Sequence, residues 1–171
     1  MKTLIRTFAL AVIIAVLAAG CGRQTATSSL QVKGSDTMVA LGQAWAEALM
    51  RENPGIQVGI TGGGSGTGIA AFINGSADIA QASREMKPEE IEQAKKAGRN
   101  PKEIPVALDA LTVVVNPKNP VGKLTIEQLS DIYTAKITNW SQVGGPDQRI
   151  VVLSREKNSG THVYFLEHVV R

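Results

Sequence analysis

From Leu30 onward, short apolar runs rich in β-branched residues alternate with segments of helical period, and this alternation constrains the fold more than any other feature. SLQVKGS reads as a strand and MVALGQAWAEALMREN as an amphipathic helix, with Asp36 or Thr37 as its cap and Asn53-Pro54 as its stop. IQVGIT and ADIAQAS are further strands, separated by a glycine loop and the helix-like GTGIAAFING. KPEEIEQAKKAGRN places Pro88, Glu89 and Glu90 at a helix start and its lysines late, which suits the helix dipole. EIPVALDALTVVVNP reads as a buried strand, TIEQLSDIYTAK as a helix opened by Thr125, RIVVLSR as another strand, and SGTHVYFLEHVVR as a final helix. Strands and helices in alternation imply an α/β fold with a largely parallel sheet.

The N-terminus has a different character. MKTLIRT carries two positive charges, and the 12 apolar residues FALAVIIAVLAA follow. As a helix they would rise about 18 Å, against about 30 Å of bilayer hydrocarbon, so the pattern is that of an export signal over residues 1–20. Cys21, the single cysteine of the 171 residues, closes LAAGC, which resembles a bacterial lipoprotein box with Ala18 where Leu is commoner. Acylation there would anchor the chain to the outer side of the cytoplasmic membrane; the alternative is an ordinary signal with an incidental Cys. A lone cysteine forms no intrachain disulfide. Gly22 to Ser29 reads as a polar tether. Removal of Lys2 and Arg6 leaves 16 basic residues of the original 18 against 15 acidic ones, a net charge that gives no support to nucleic-acid binding.

The loop TGGGSGTGIAA, Thr61 to Ala71, sits between a strand and a helix, where backbone N–H groups face outward with partial positive charge. It reads as an anion cradle or as a plain tight turn. A nucleotide P-loop requires Lys-Ser/Thr after the second glycine, and Ile69-Ala70 stand there. A dinucleotide fingerprint requires glycine at position 67, which is Thr67. Two other strand-to-helix turns repeat its chemistry: GSDTM with Ser35, Asp36 and Thr37, and REKNSGTH with Arg155, Ser159, Gly160 and Thr161. Each alone reads as a helix cap. Together they would gather at the carboxyl ends of strands, where open α/β sheets bind ligands.

GSDTM, TGGGSGTGIAAFINGSADIAQASREM, KITNWSQVGGPDQ and SREKNSGT resemble the phosphate-binding proteins of bacterial phosphate ABC transporters, in order along nearly the whole chain from Leu30. The resemblance implies a periplasmic-binding-protein-like α/β fold of type II. Two lobes with mostly parallel sheets would close on one desolvated phosphate, with residues 30–115 as the first lobe and 116–171 as part of the second. Because relatives continue past the S-G-T helix, the second lobe is expected to be incomplete. Carried over, the phosphate ligands would be Thr37 and the Met38 amide, with Ser35 and Asp36 beside them; Ser65; Ser83 and Arg84; and Arg155, Ser159, Gly160 and Thr161. Neutral donors plus one fork-shaped guanidinium suit an anion rich in acceptor lone pairs.

One position departs from the better-known members. They carry an aspartate after Ala-Ser that accepts the proton of hydrogen phosphate and rejects sulfate, where this chain has Arg84; the Ser-Arg form belongs to a lipoprotein branch. The acceptor would then be Asp36, or failing that Asp109, although Asp36 also reads as a cap only. Arg84 would add positive charge or pair with Glu85 or Glu89. Arg155 reads alternatively as one half of a surface ion pair with Glu156. The implied role is that of a monomeric, cofactor-free receptor that docks on a membrane permease. Another tetrahedral oxyanion such as sulfate is the alternative guest. A secreted serine hydrolase is the remote alternative, with His162 and His168 as its only histidine bases and no G-x-S-x-G elbow.

Overall fold

A computed structural model describes residues 28–170, so the signal segment, the Cys21 anchor and most of the tether lie outside the described residues. Strand β1 (Ser28–Gly34) leads through helix α1 (Asp36–Glu52) to β2 (Ile56–Thr61), and α2 (Ser65–Asn74) leads to β3 (Ile79–Gln81). Both neighbours of β1 run parallel to it, giving the order β2-β1-β3. Each crossover is a helix, as parallel pairing requires. The expected α/β class and parallel sheet are therefore present. β1 begins one residue before the expected strand: Ser28 and Ser29 pair with Ile56 and Gln57 and so belong to the sheet rather than the tether.

Helix α2 packs on β1 and β3, while α1 packs on β2. Val32, Ala46, Ile69, Ala71 and Ala77 are buried between these elements, with Ile69 only 1% exposed. Helix α3 (Pro88–Lys96) starts at its proline, and the Glu90 carboxylate accepts the Lys87 amide at 2.8 Å. A separate helical cluster follows. Thr125 caps α4 (Ile126–Tyr133) in a reciprocal box, its hydroxyl accepting from the Gln128 amide and the Gln128 side chain accepting from its own. Helix α5 (Gly160–His168) is capped by Ser159. The two helices meet through Tyr133 and Phe165, whose ring centroids are 4.6 Å apart. Between them a 3-10 turn (Trp140–Val143) is organised by Asn139 and Gln142, whose side chains accept the amides of Ser141, Gln148, Thr138 and Asn139.

Three sequence expectations are corrected. Neither EIPVALDALTVVVNP nor RIVVLSR is a strand, apart from a single antiparallel bridge between Asn139 and Arg149. Nor is the first run buried, since Leu108 and Val114 are largely exposed, while the second buries Ile150 and exposes Leu153. Their residues have strand propensity, but no partner strand among the described residues supplies the hydrogen bonds that propensity alone cannot. The cap of α1 is Ser35, not Asp36 or Thr37, and Ser35 caps without a side-chain bond. Asp36 is instead the acidic residue of the first turn.

Candidate anion site

The three hydroxyl-rich turns converge. β1 ends at Gly34 and α1 begins at Asp36, which sets Ser35, Asp36 and Thr37 at the carboxyl end of the central strand. β2 ends at Thr61, and the glycine loop delivers Ser65 to the first position of α2. The third turn precedes α5, and its Thr161 hydroxyl lies 3.4 Å from that of Thr37, across 124 residues of sequence.

Ser65 is fully buried. Its hydroxyl accepts the Ser83 amide at 3.1 Å and lies 3.2 Å from the Ser83 hydroxyl. Gly160 lies against this pair, and a Cβ there would run into both hydroxyl oxygens. Ser159 is also buried and accepts from the His162 amide at 3.4 Å. Ser35 is buried beneath the site, its amide donating to the Gln81 carbonyl at 2.8 Å.

Asp36 joins two of the turns. One carboxylate oxygen accepts the Gly63 amide at 2.8 Å, and the other accepts from Arg155 Nη2 at 2.8 Å. Arg155 also donates to Glu156 through Nε and Nη2, at 3.1 and 2.6 Å. The guanidinium holds the Glu156 carboxyl down at about 2, so Glu156 is charged throughout the neutral range. Arg155 thus forms the expected pair with Glu156, and it also reaches the first turn.

Other expected ligands are engaged elsewhere. The Met38 amide donates to the Ser35 carbonyl at 3.1 Å, inside the first helical turn. Arg84 pairs with neither Glu85's carboxylate nor Glu89. Its two terminal nitrogens donate to the Glu90 oxygens at 2.8 Å each, and one also donates to the Glu85 carbonyl. Both side chains are largely buried, 9% and 18% exposed. The hydrogen bond from Arg84 holds the Glu90 carboxyl below the usual range, against the opposing effect of burial. Asp109 is exposed on the segment without regular structure and accepts the Ala110 amide. His162 Nδ1 lies 2.9 Å from the Ser154 hydroxyl. Sequence reasoning overlooked Asn158, whose side chain donates to the Gly63 carbonyl at 2.8 Å and to the Thr67 hydroxyl at 3.1 Å.

Hydroxyls, helix starts and a guanidinium gathered beside the ends of parallel strands are groups that suit an oxyanion. A family model described as a PBP superfamily domain matches residues 21–171. The chain belongs to the PBP superfamily. Among curated relatives of this PBP-superfamily chain, Protein SphX of Synechococcus elongatus is 41% identical over 143 residues, 80% of this chain and 42% of that protein. The phosphate-binding protein PstS of Bacillus subtilis is 32% identical over 152 residues, 87% of this chain and 48% of its own length. The chain spans about half the length of the curated relatives it matches. Solved structures agree. A protein from Clostridium perfringens, described as the substrate-binding protein of a phosphate ABC transporter with bound phosphate, superposes with a TM-score of 0.74 at 41% identity, over 83% of this chain and 56% of that one. An ABC-type phosphate transport receptor from Vibrio cholerae gives 0.66 at 38% identity, over 81% and 54%. The Bacillus subtilis, Clostridium perfringens and Vibrio cholerae relatives are named as phosphate-binding or phosphate-transport proteins. No helix among the described residues is long and apolar enough to cross a membrane.

Proposed function

We propose that this chain captures inorganic phosphate outside the cytoplasmic membrane for delivery to an ABC-transporter permease. The observation that carries the reading is the approach of Thr37 and Thr161, with Arg155 bonded to Asp36 beside them. Turns distant in sequence thereby bring two hydroxyls and one guanidinium close together. Residues 30–115 would form one lobe and 116–171 part of another, with the anion held between them. Thr37, Ser65, Ser83, Ser159 and Thr161 would supply neutral donors, Gly160 a close backbone approach, and Ser35 and Met38 the frame of the first turn. Arg155 would exchange its bond to Asp36 for one to the anion. Arg84, committed to Glu90, would act through the local positive potential. Cys21 would carry the lipid anchor, and the receptor would work as a monomer without cofactor.

Asp36 would give the choice of anion. Next to a guanidinium-bound hydrogen phosphate, its carboxylate accepts the remaining proton. Sulfate has no proton to give and meets the same carboxylate as a repulsive charge. This favours phosphate over sulfate as the guest, in keeping with the names of the relatives.

Arg155→Ala tests the reading. Removing the guanidinium that reaches the first turn is expected to weaken phosphate binding by at least about a hundredfold, as loss of charge-assisted bonds implies. Calorimetric titration of variant against parent measures this, and near-parental affinity would remove Arg155 from the site.

A further inference from the structure

The glycine loop and the turn before α5 are joined by Asn158 alone among the side chains of that turn. Its amide nitrogen spans two acceptors on the opposite side, the Gly63 carbonyl and the Thr67 hydroxyl. Its own carbonyl accepts the Gly66 amide at 3.1 Å, so side chain and backbone grip the loop from both directions. The loop is shaped for this grip. Gly64 has φ of +90°, and a Cβ there would lie 2.6 Å from the Asn158 carbonyl oxygen. Gly66, two residues on, is likewise in contact with the Asn158 backbone. Gly64 thus makes room for Asn158, in addition to any role toward an anion.

None of these three bonds is directed at the position between Thr37 and Thr161, and each exists only while the two turns lie together. A bond of that kind adds nothing to first encounter with a ligand; it resists separation of the walls afterwards. We propose that Asn158 is a positioning residue, a clasp that holds the glycine loop against the Ser159–Thr161 turn and sets the lifetime of the anion complex rather than its rate of formation. The kinetic part rests on the anion-receptor reading given above, while the clasp itself does not.

The test has two arms on the full chain. In the first, without ligand, hydrogen exchange at the Gly66 amide is compared between the parent and Asn158→Ala. Exchange is expected to quicken about tenfold, the loss of two ordinary hydrogen bonds, and unchanged exchange would overturn the clasp. Thr67→Val removes one acceptor without touching the turn and is expected to give a smaller acceleration. Should Asn158→Ala fail to fold, Thr67→Val decides alone, and equal exchange to the parent would overturn the proposal. In the second arm, rapid mixing with inorganic phosphate separates the rate constants. Dissociation is expected about tenfold faster in Asn158→Ala with association within about twofold of the parent. A loss confined to association would overturn the lifetime role. If the parent binds no phosphate, the receptor reading falls and the exchange arm still decides the clasp.

Discussion

Asp36 is the residue on which the chemistry of the site turns, because its two carboxylate oxygens serve different masters: the Gly63 amide and Arg155. One bond fixes the glycine loop, and the other keeps the guanidinium facing the first turn. Asp36→Asn preserves the shape but removes the charge, and an amide can donate to a fully deprotonated anion. The expected outcome is a phosphate-to-sulfate preference reduced about tenfold or more, the scale of one charged hydrogen bond, with sulfate binding gained rather than phosphate binding abolished. Competition titration of the two anions checks this, and an unaltered preference would exclude Asp36 as the acceptor. At this scale the sequence was informative where residue type and motif coincide. That the turns carrying Thr37, Ser65, Arg155 and Thr161 lie together was legible from their hydroxyls and guanidinium ahead of helices. Asn158 was not, because asparagine before a helix reads as ordinary capping chemistry. Only the fold shows its amide crossing to Gly63.

Among the elements, α3 is pinned by the pair between Arg84 and Glu90, and Glu90 also closes the first turn by accepting the Lys87 amide. The pair has a definite pH signature. Glu90 titrates below its ordinary value of 4.5 in the folded chain, chiefly through the hydrogen bond from Arg84. Its contribution is therefore fully present above that ordinary value and is lost as pH falls through the lowered one. Glu90→Gln is expected to cost about 2 kcal/mol near neutrality, leaving a buried guanidinium without its counter-charge. Thermal unfolding at pH 7 and pH 3 should then show a smaller acid-induced loss in the variant than in the parent; equal losses would contradict the assignment. The elements themselves were legible to different degrees. Helices α3 and α4 carry their starts in the sequence, as Pro88 and Thr125 illustrate, and those signals are local. The apolar runs around Leu108 to Val115 and Val151 to Leu153 have the composition of strands, yet a strand also needs a neighbour, and composition does not record whether one is there.

Taken as a whole molecule, the chain brings the carboxyl ends of β1 and β2 against a turn more than 90 residues away in sequence, as the Asn158–Gly63 bond measures. The α/β class and the parallel order were legible from alternation, and the gathering of the three turns from their shared hydroxyl chemistry, whereas the particular contact was not, since nothing local to REKNSGTH points to Gly63. The account's central claim is that the closure makes a phosphate site. Isothermal titration of the full chain with inorganic phosphate, in metal-free buffer, tests that claim most directly. It predicts one saturable site with a dissociation constant far below that for sulfate, accompanied by a rise in unfolding temperature as ligand binds the folded state. A folded chain that gives no heat with phosphate, or binds sulfate equally well, would contradict it.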